Sequence, residues 1–443
     1  MKKITVLALA ACMAFAVAVP AMAVEVDFSG YYRVRGFMNS NISLDDRAEE
    51  SEAYYDNRFR LQTVFKATDA VSVTTRFDAL DDDVWGDTNN LEGDKNEANI
   101  DWDRVYMTIM SDVGMFMIGH QQAGVWGLDF FDDDYNDDRI KYTGKTGDVY
   151  FGAIIQKTSE VDSESAWAAD GESDADTDVY YLFGGIKQEG MEAGLLATYA
   201  RDTTTDAMTV TKQALLPYGK FTAGPLSVRG EIVYEFGDMD FDGSTPDTDI
   251  DALSYALEGS FSLDMARLYL GWVSVSGQED GDDMTMGNMT YGGLGDDFNP
   301  LAILTDDLGG KMLNSKARLS NIMQVDAGLL PPTALSSADM VALCGVNLLY
   351  AGADVAVNDK LTVAGIIGYA MANEDDILTG TTIDDVYGTE IDVTVTYQIM
   401  DNLEYEATLA YLMTEDLLAA TKGVGPNNAD DNFGIMHQIK ASF

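Results

Sequence analysis

Basic residues are scarce: 27 Lys and Arg stand against 75 Asp and Glu, giving a net charge of −48. That excludes a general nucleic-acid binder, which needs a basic face to neutralise phosphates. Cysteine is nearly absent. Cys12 and Cys344 are the two in 443 residues, and Cys12 lies in a leader-like stretch. A disulfide framework and a cysteine metal site are therefore excluded. The two histidines, His120 and His437, leave little room for multi-histidine metal sites or histidine-based catalysis. No G-x-x-x-x-G-K-[ST] loop occurs, so direct use of ATP is not expected. Beyond the leader, no apolar run reaches the roughly 18–20 residues of a spanning helix. The mature chain is thus either free of the membrane or crosses it as a β-barrel, the other backbone that satisfies itself in lipid.

Apolar residues make up 46% of the sequence, too many for an acidic disordered chain. With 41 Gly, 22 Tyr and 18 Phe against eight Pro, the composition favours aromatic strands. Residues 1–23 read as a secretory signal peptide. Lys2 and Lys3 precede an apolar run, then Pro20 and the small-residue site Ala21-Met22-Ala23. A single domain over 24–443 is expected after cleavage.

The mature sequence repeats segments of about ten to fourteen residues that alternate apolar and polar at period two, the pattern of outer-membrane strands. They fall near 25–38, 54–67, 71–82, 100–110, 114–122, 138–145, 148–158, 178–187, 191–201, 212–222, 225–237, 251–262, 265–278, 340–356, 361–372, 386–399, 402–414 and 432–443. The expected fold is all-β, a transmembrane antiparallel barrel of about eighteen strands, with sixteen or twenty as the alternatives. Connections alternate in length. Short turns such as Thr68-Asp69-Ala70, Thr146-Gly147 and Asn358-Asp359-Lys360 alternate with long acidic segments near 83–99, 123–137 and 159–177. Barrels of this class have short periplasmic turns and long external loops. Segment 279–339 is too long for a simple loop; it could enter the lumen, cap the mouth or hold two further strands. The chain ends on a strand with Phe433, Ile435, His437, Ile439, Ala441 and Phe443 in one parity.

The stretches Phe28-Ser29-Gly30-Tyr31-Tyr32-Arg33-Val34-Arg35-Gly36 and Tyr54-Tyr55-Asp56-Asn57-Arg58-Phe59-Arg60-Leu61 carry a family likeness. So do Ile118-Gly119-His120-Gln121-Gln122, Gly124-Val125-Trp126-Gly127 and Arg139-Ile140-Lys141-Tyr142. Over roughly residues 25–160 the chain resembles bacterial outer-membrane porins, particularly the eighteen-stranded alginate-export-like group. The resemblance implies passive diffusion or polysaccharide export, and it does not select a solute.

Charge on the lipid face costs about 2–4 kcal/mol at the bilayer midplane. Parity therefore turns Arg33, Arg35, Arg58, Arg60, Lys66, Arg76, Arg104, Arg139 and Lys141 toward the lumen as a basic wall. Later strands present Glu231, Glu235, Glu258, Glu390, Asp392, Glu404 and Glu406 on the same inward parity. Two arrangements fit: opposed charged walls across a water-filled pore, or arginines that pair with neighbouring acids to pack a narrow lumen. The segment after the fifth strand, with Trp126, Asp129, Asp132, Asp133 and Asp134, is a candidate inward-folding constriction.

Asp238, Asp240, Asp242 and Asp249 match a D-x-D-x-D-G calcium-loop spacing. Ca2+ in the external loops is thus a candidate ligand, although the flanks read as strands and no cofactor is required. The functional expectation is a non-enzymatic porin in the outer membrane of a Gram-negative bacterium, admitting small hydrophilic solutes or ions. A substrate-selective or polysaccharide-export channel and a plugged adhesion or scaffold barrel are the alternatives. Expected partners are outer-membrane lipid, lipopolysaccharide and the solutes, with no nucleic acid. A homo-oligomer is a further candidate, with monomer and trimer both left open.

Overall fold

The computed structural model describes residues 24–48, 50–86, 100–133, 135–160, 176–205, 208–241, 247–279, 284–285, 297–306, 308, 343–375, 383–425 and 427–443. The leader lies outside them. Eighteen strands follow in order: β1 (Glu25–Ser40), β2 (Ser51–Thr68), β3 (Val71–Val84), β4 (Ile100–Ser111), β5 (Gly114–Ala123), β6 (Tyr135–Thr146), β7 (Val149–Ser159), β8 (Thr177–Gln188) and β9 (Met191–Thr205). Then come β10 (Met208–Ala223), β11 (Leu226–Phe241), β12 (Thr248–Ser262), β13 (Ala266–Val275), β14 (Val346–Asn358), β15 (Leu361–Met371), β16 (Val386–Met400), β17 (Leu403–Thr414) and β18 (Asn432–Ser442). One short helix, α1 (Asp416–Ala420), precedes β18.

Each strand pairs antiparallel with its sequence neighbours, and β1 pairs with both β2 and β18, so the sheet closes on itself. Closure leaves no sheet edge unpaired, which is the condition for placing strands in lipid. At the seam, Gly30 and Phe443 exchange two backbone hydrogen bonds of 3.0 Å. The Phe443 ring stacks on Phe59 with centroids 6.2 Å apart. The terminal residue thus completes the cylinder rather than trailing from it.

The two faces differ as the period-two pattern dictates. Outward positions expose Phe28, Val105, Ile140, Ile155, Leu182 and Leu270. Inward positions carry the charged and polar side chains, many of them buried: Arg35, Asp56, Asp78, Gln121, Arg139, Gln156, Glu231, Glu258 and Glu390. The segments expected as strands each overlap one observed strand. Strand β3 runs on to Val84, so Asp83 belongs to it rather than to the connection expected from residue 83. Strand β14 begins at Val346, so Cys344 lies in the turn that leads into it, not on the strand.

The lumen also contains an apolar core. Phe298, Leu301, Ile303, Leu304 and Leu308 are buried with Leu348, Tyr350, Tyr387 and Leu412 of the barrel wall. Residues 297–306 and 308 therefore enter the lumen, the first of the three expected arrangements, whereas Met284 packs separately with Met239, Ile250 and Leu343; most of that segment lies outside the described residues.

Candidate functional site

The basic wall occupies β1 to β6. In the β1–β2 ladder Arg33 stands opposite Arg58, Tyr31 opposite Arg60 and Arg35 opposite Asp56. This juxtaposition of cations is made tolerable by acids on the same wall. Arg35 donates two bonds to Asp56, of 3.0 and 2.6 Å, and both side chains are buried. Arg58 contacts Asp81 and lies 3.8 Å from Asp78. Arg60 donates to Asp78 at 2.7 and 2.5 Å and reaches Asp103 at 3.3 Å. Arg76 donates to Asp103 at 2.7 Å. Lys66, near the short-turn end, meets Glu25 at 2.8 Å and Asp27 at 2.7 Å. Five cations of the wall are thus held in carboxylate networks, which fix their rotamers and offset their mutual repulsion.

Asp56, Asp78 and Asp103 were not among the expected site residues. The parity that turned Arg58 and Arg76 inward also turns Asp56 and Asp78 inward, so those two were findable. Asp103 was not, because a register shift in the β3–β4 ladder between Arg76 and Phe77 brings it to the inner side.

Farther round, Arg104 donates to Asn136 at 2.8 Å and to Gln122 at 3.3 Å. Arg139 donates to the Gln122 carbonyl at 2.8 Å and lies over the Tyr181 ring, 5.2 Å from its centroid. Lys141 stands 5.8 Å from the Phe183 ring centroid.

The segment between β5 and β6 folds inward. The Trp126 indole donates to the Leu216 carbonyl at 2.8 Å and packs edge-on against Tyr218, centroids 5.5 Å apart. The Trp126 backbone N–H donates to Asp132 at 2.7 Å. Asp129 pairs with Arg229, whose guanidinium lies 4.5 Å from the Phe130 centroid. Phe130 in turn meets Phe298 at 5.2 Å, and the Asp297 N–H reaches the Asp132 carbonyl at 3.3 Å. The Asp133 N–H donates to the Gly124 carbonyl at 3.0 Å, and its carbonyl receives the Tyr135 N–H at 2.7 Å. Asp134 lies outside the described residues.

The second inward segment, 297–308, is seated on two acids. The backbone N–H groups of Ile303 and Leu304 donate to the two oxygens of Glu390 at 2.7 and 2.8 Å. The Ala302 N–H donates to Asp392 at 2.9 Å. Two glycines on the wall form its slots. A Cβ on Gly368 would come within 2.4 Å of Leu301, and one on Gly434 within 2.3 Å of Leu308. Of the acids on the later strands, Glu390 and Asp392 thus hold a peptide segment, while Glu258 receives Arg229 at 3.0 Å and Arg267 at 2.7 Å.

In the candidate calcium motif, Asp238 and Asp240 lie on β11, and Asp238 stands opposite Asp249 across the β11–β12 ladder. Asp242 lies outside the described residues. Among the described residues, no group of three or more acidic, histidine or cysteine side chains converges as a metal site.

No protein-family model matches the sequence, and none of the curated proteins matches it. Solved structures do match in fold. A BenF-like porin from Pseudomonas fluorescens Pf-5 is similar at 12% identity and TM-score 0.51, covering 94% of this chain and 99% of that one. Pseudomonas aeruginosa OpdQ and OccK8 (OprE) are each similar at 12% identity and TM-score 0.50, covering 94% of this chain and 98% of theirs. These similarities agree with a porin-type barrel. None of the three is named as an alginate exporter.

Proposed function

We propose that the protein is a passive outer-membrane channel for small hydrophilic solutes or ions, without cofactor or energy coupling. One observation carries this reading: a single closed sheet exposes large apolar side chains outward while its inner face holds ordered charge. A barrel with that polarity sits stably in lipid and encloses a hydrated interior. The two inward segments cover much of the β8–β18 side. The path therefore runs beside the β1–β6 wall, where paired arginines and acids set up a fixed local field that orders dipolar solutes.

The seated apolar segment favours a second reading, a narrow or gated channel rather than a wide general pore. Swelling of liposomes that contain the refolded protein separates the two. Uptake of small sugars and amino acids with exclusion of larger oligosaccharides supports a narrow passive path. Rates equal to those of empty liposomes for every solute would remove the channel reading.

A further inference from the structure

Five inward cations on this wall are held by carboxylates, and Arg139 and Lys141 stand apart from them. Arg35, Arg58, Arg60 and Arg76 each meet an acid within 4 Å, as do Arg229 and Arg267 beyond the wall. Among the described residues, Arg139 and Lys141 meet none. Arg139 is 8% exposed, and its Nε is buried without a hydrogen-bond partner. Of the two acids that precede it, the exposed Asp138 meets His120 at 3.1 Å, and Asp137 accepts from Gln156 at 2.7 Å and Thr158 at 2.8 Å. Lys141 stands over the Phe183 face, beside the like charge of Arg139. In a chain of net charge −48, a buried arginine beside a half-buried lysine, with no carboxylate against either among the described residues, carries a desolvation cost that a bound anion would offset.

Both side chains open into a cavity of about 180 Å³. Arg104, Arg139 and Lys141 line it together with Gln121, Gln122, Trp126, Phe183 and Leu196. Trp126 belongs to the inward-folded segment, so the β5–β6 connection closes the cavity against residues of β4 to β9. Its lining thus combines charged donors with apolar and aromatic surface.

We infer that this cavity is a binding site for a small organic anion, with its carboxylate held by Arg139 and Lys141 and its apolar body against Trp126, Phe183 and Leu196. The inference deepens the channel reading and rests on it for its biological meaning, because the site then makes the channel saturable and selective. A free inorganic anion would satisfy the cations but not the apolar surface. A neutral or cationic molecule of the same shape would satisfy the apolar surface and leave the cations bare.

The test is calorimetric titration of the full mature protein, folded in detergent at low salt, with hexanoate, acetate, hexanol, hexylammonium and sulfate. Hexanoate is expected to bind with one site, at least tenfold more tightly than acetate or sulfate, and hexanol and hexylammonium not at all. Losing one charge-assisted contact weakens binding roughly ten- to hundredfold, so Lys141→Gln and Arg139→Gln should each show that loss. Lys141 makes no hydrogen bond that its loss would break within the fold, which keeps that variant informative if Arg139→Gln folds poorly. Lys145→Gln, exposed at the turn end of β6, should bind as the parent does. Absence of hexanoate binding, binding unchanged in Lys141→Gln, or equal affinity for sulfate would overturn the proposal. Bilayer recordings of the same samples keep the two claims apart. Binding without conductance defeats the channel reading alone, and conductance without binding defeats this site alone.

Discussion

Replacing Glu390 with alanine tests how the apolar segment is kept inside the barrel. Glu390 is fully buried and accepts the N–H groups of Ile303 and Leu304 at 2.7 and 2.8 Å. A buried N–H left without its acceptor costs about 1–3 kcal/mol. Stranding both therefore costs the seated state about 2–6 kcal/mol, less whatever water supplies in their place. One factor of ten corresponds to about 1.4 kcal/mol. Hydrogen exchange at 303 and 304 should accordingly accelerate roughly 30- to 10⁴-fold, since protection reports the free energy of local opening. Mass spectrometry of peptides spanning 297–308, from protein held in nanodiscs, reads this directly. Peptides from β1 and β2, which touch neither group, serve as the internal reference and should not change. Glu390→Gln should fall between, because an amide keeps one acceptor oxygen and turns a donor toward the other N–H. Unaltered protection of 303 and 304 in Glu390→Ala would refute the reasoning and assign the seating to apolar contacts alone. Loss of protection throughout the barrel would refute it too, by showing that Glu390 supports the sheet rather than the segment.

Asp56→Asn should destabilise the folded barrel by about 3–5 kcal/mol, because it strands the buried Arg35 charge; urea unfolding in lipid vesicles measures this. Gly368→Val should drive Leu301 from its slot, given the 2.4 Å approach a Cβ would make, and raise single-channel conductance. The Cys344 thiol, which burial pushes up to about 12, should resist maleimide at pH 8 in the folded protein and react once it is unfolded. Asp45, held down at about 2 by its hydrogen bonds to Arg47, lies on the β1–β2 connection. Its folded value is depressed, so whatever it contributes is present above the ordinary carboxylate range and is lost as pH falls toward 2. In Arg47→Gln its titration, followed by NMR, should return to the ordinary range.

Strand number, order and facing were legible because lipid outside and water inside impose a strict period-two code, and one slipped residue would turn every charge outward. Arg33, Arg58, Arg76 and Arg139 could be placed on that ground alone. The partners of those cations were only half legible. Asp56 and Asp78 obey the same parity, whereas Asp103 depends on a register shift that no local pattern marks. The seating of 297–308 was not legible at all. Phe298, Leu301 and Leu304 carry no periodicity that distinguishes a segment inside the lumen from a core elsewhere. The acids that hold it, Glu390 and Asp392, read in sequence as lumen charge. Their role depends on backbone N–H groups about ninety residues away, and backbone donors leave no trace in composition. Arg139 and Lys141 could be turned inward from sequence, but that no carboxylate meets them among the described residues became visible only with the surrounding strands in place.

The most direct test of the channel itself is planar-bilayer conductance of the purified, refolded protein, with the reversal potential taken in a KCl gradient. The account predicts steady ohmic steps whose selectivity shifts toward cations in Arg139→Gln and Lys141→Gln, because each variant removes positive charge from the inner wall. A barrel that is correctly folded by heat-modifiable gel migration yet electrically silent at all voltages would contradict it, and would make the seated segment a permanent plug.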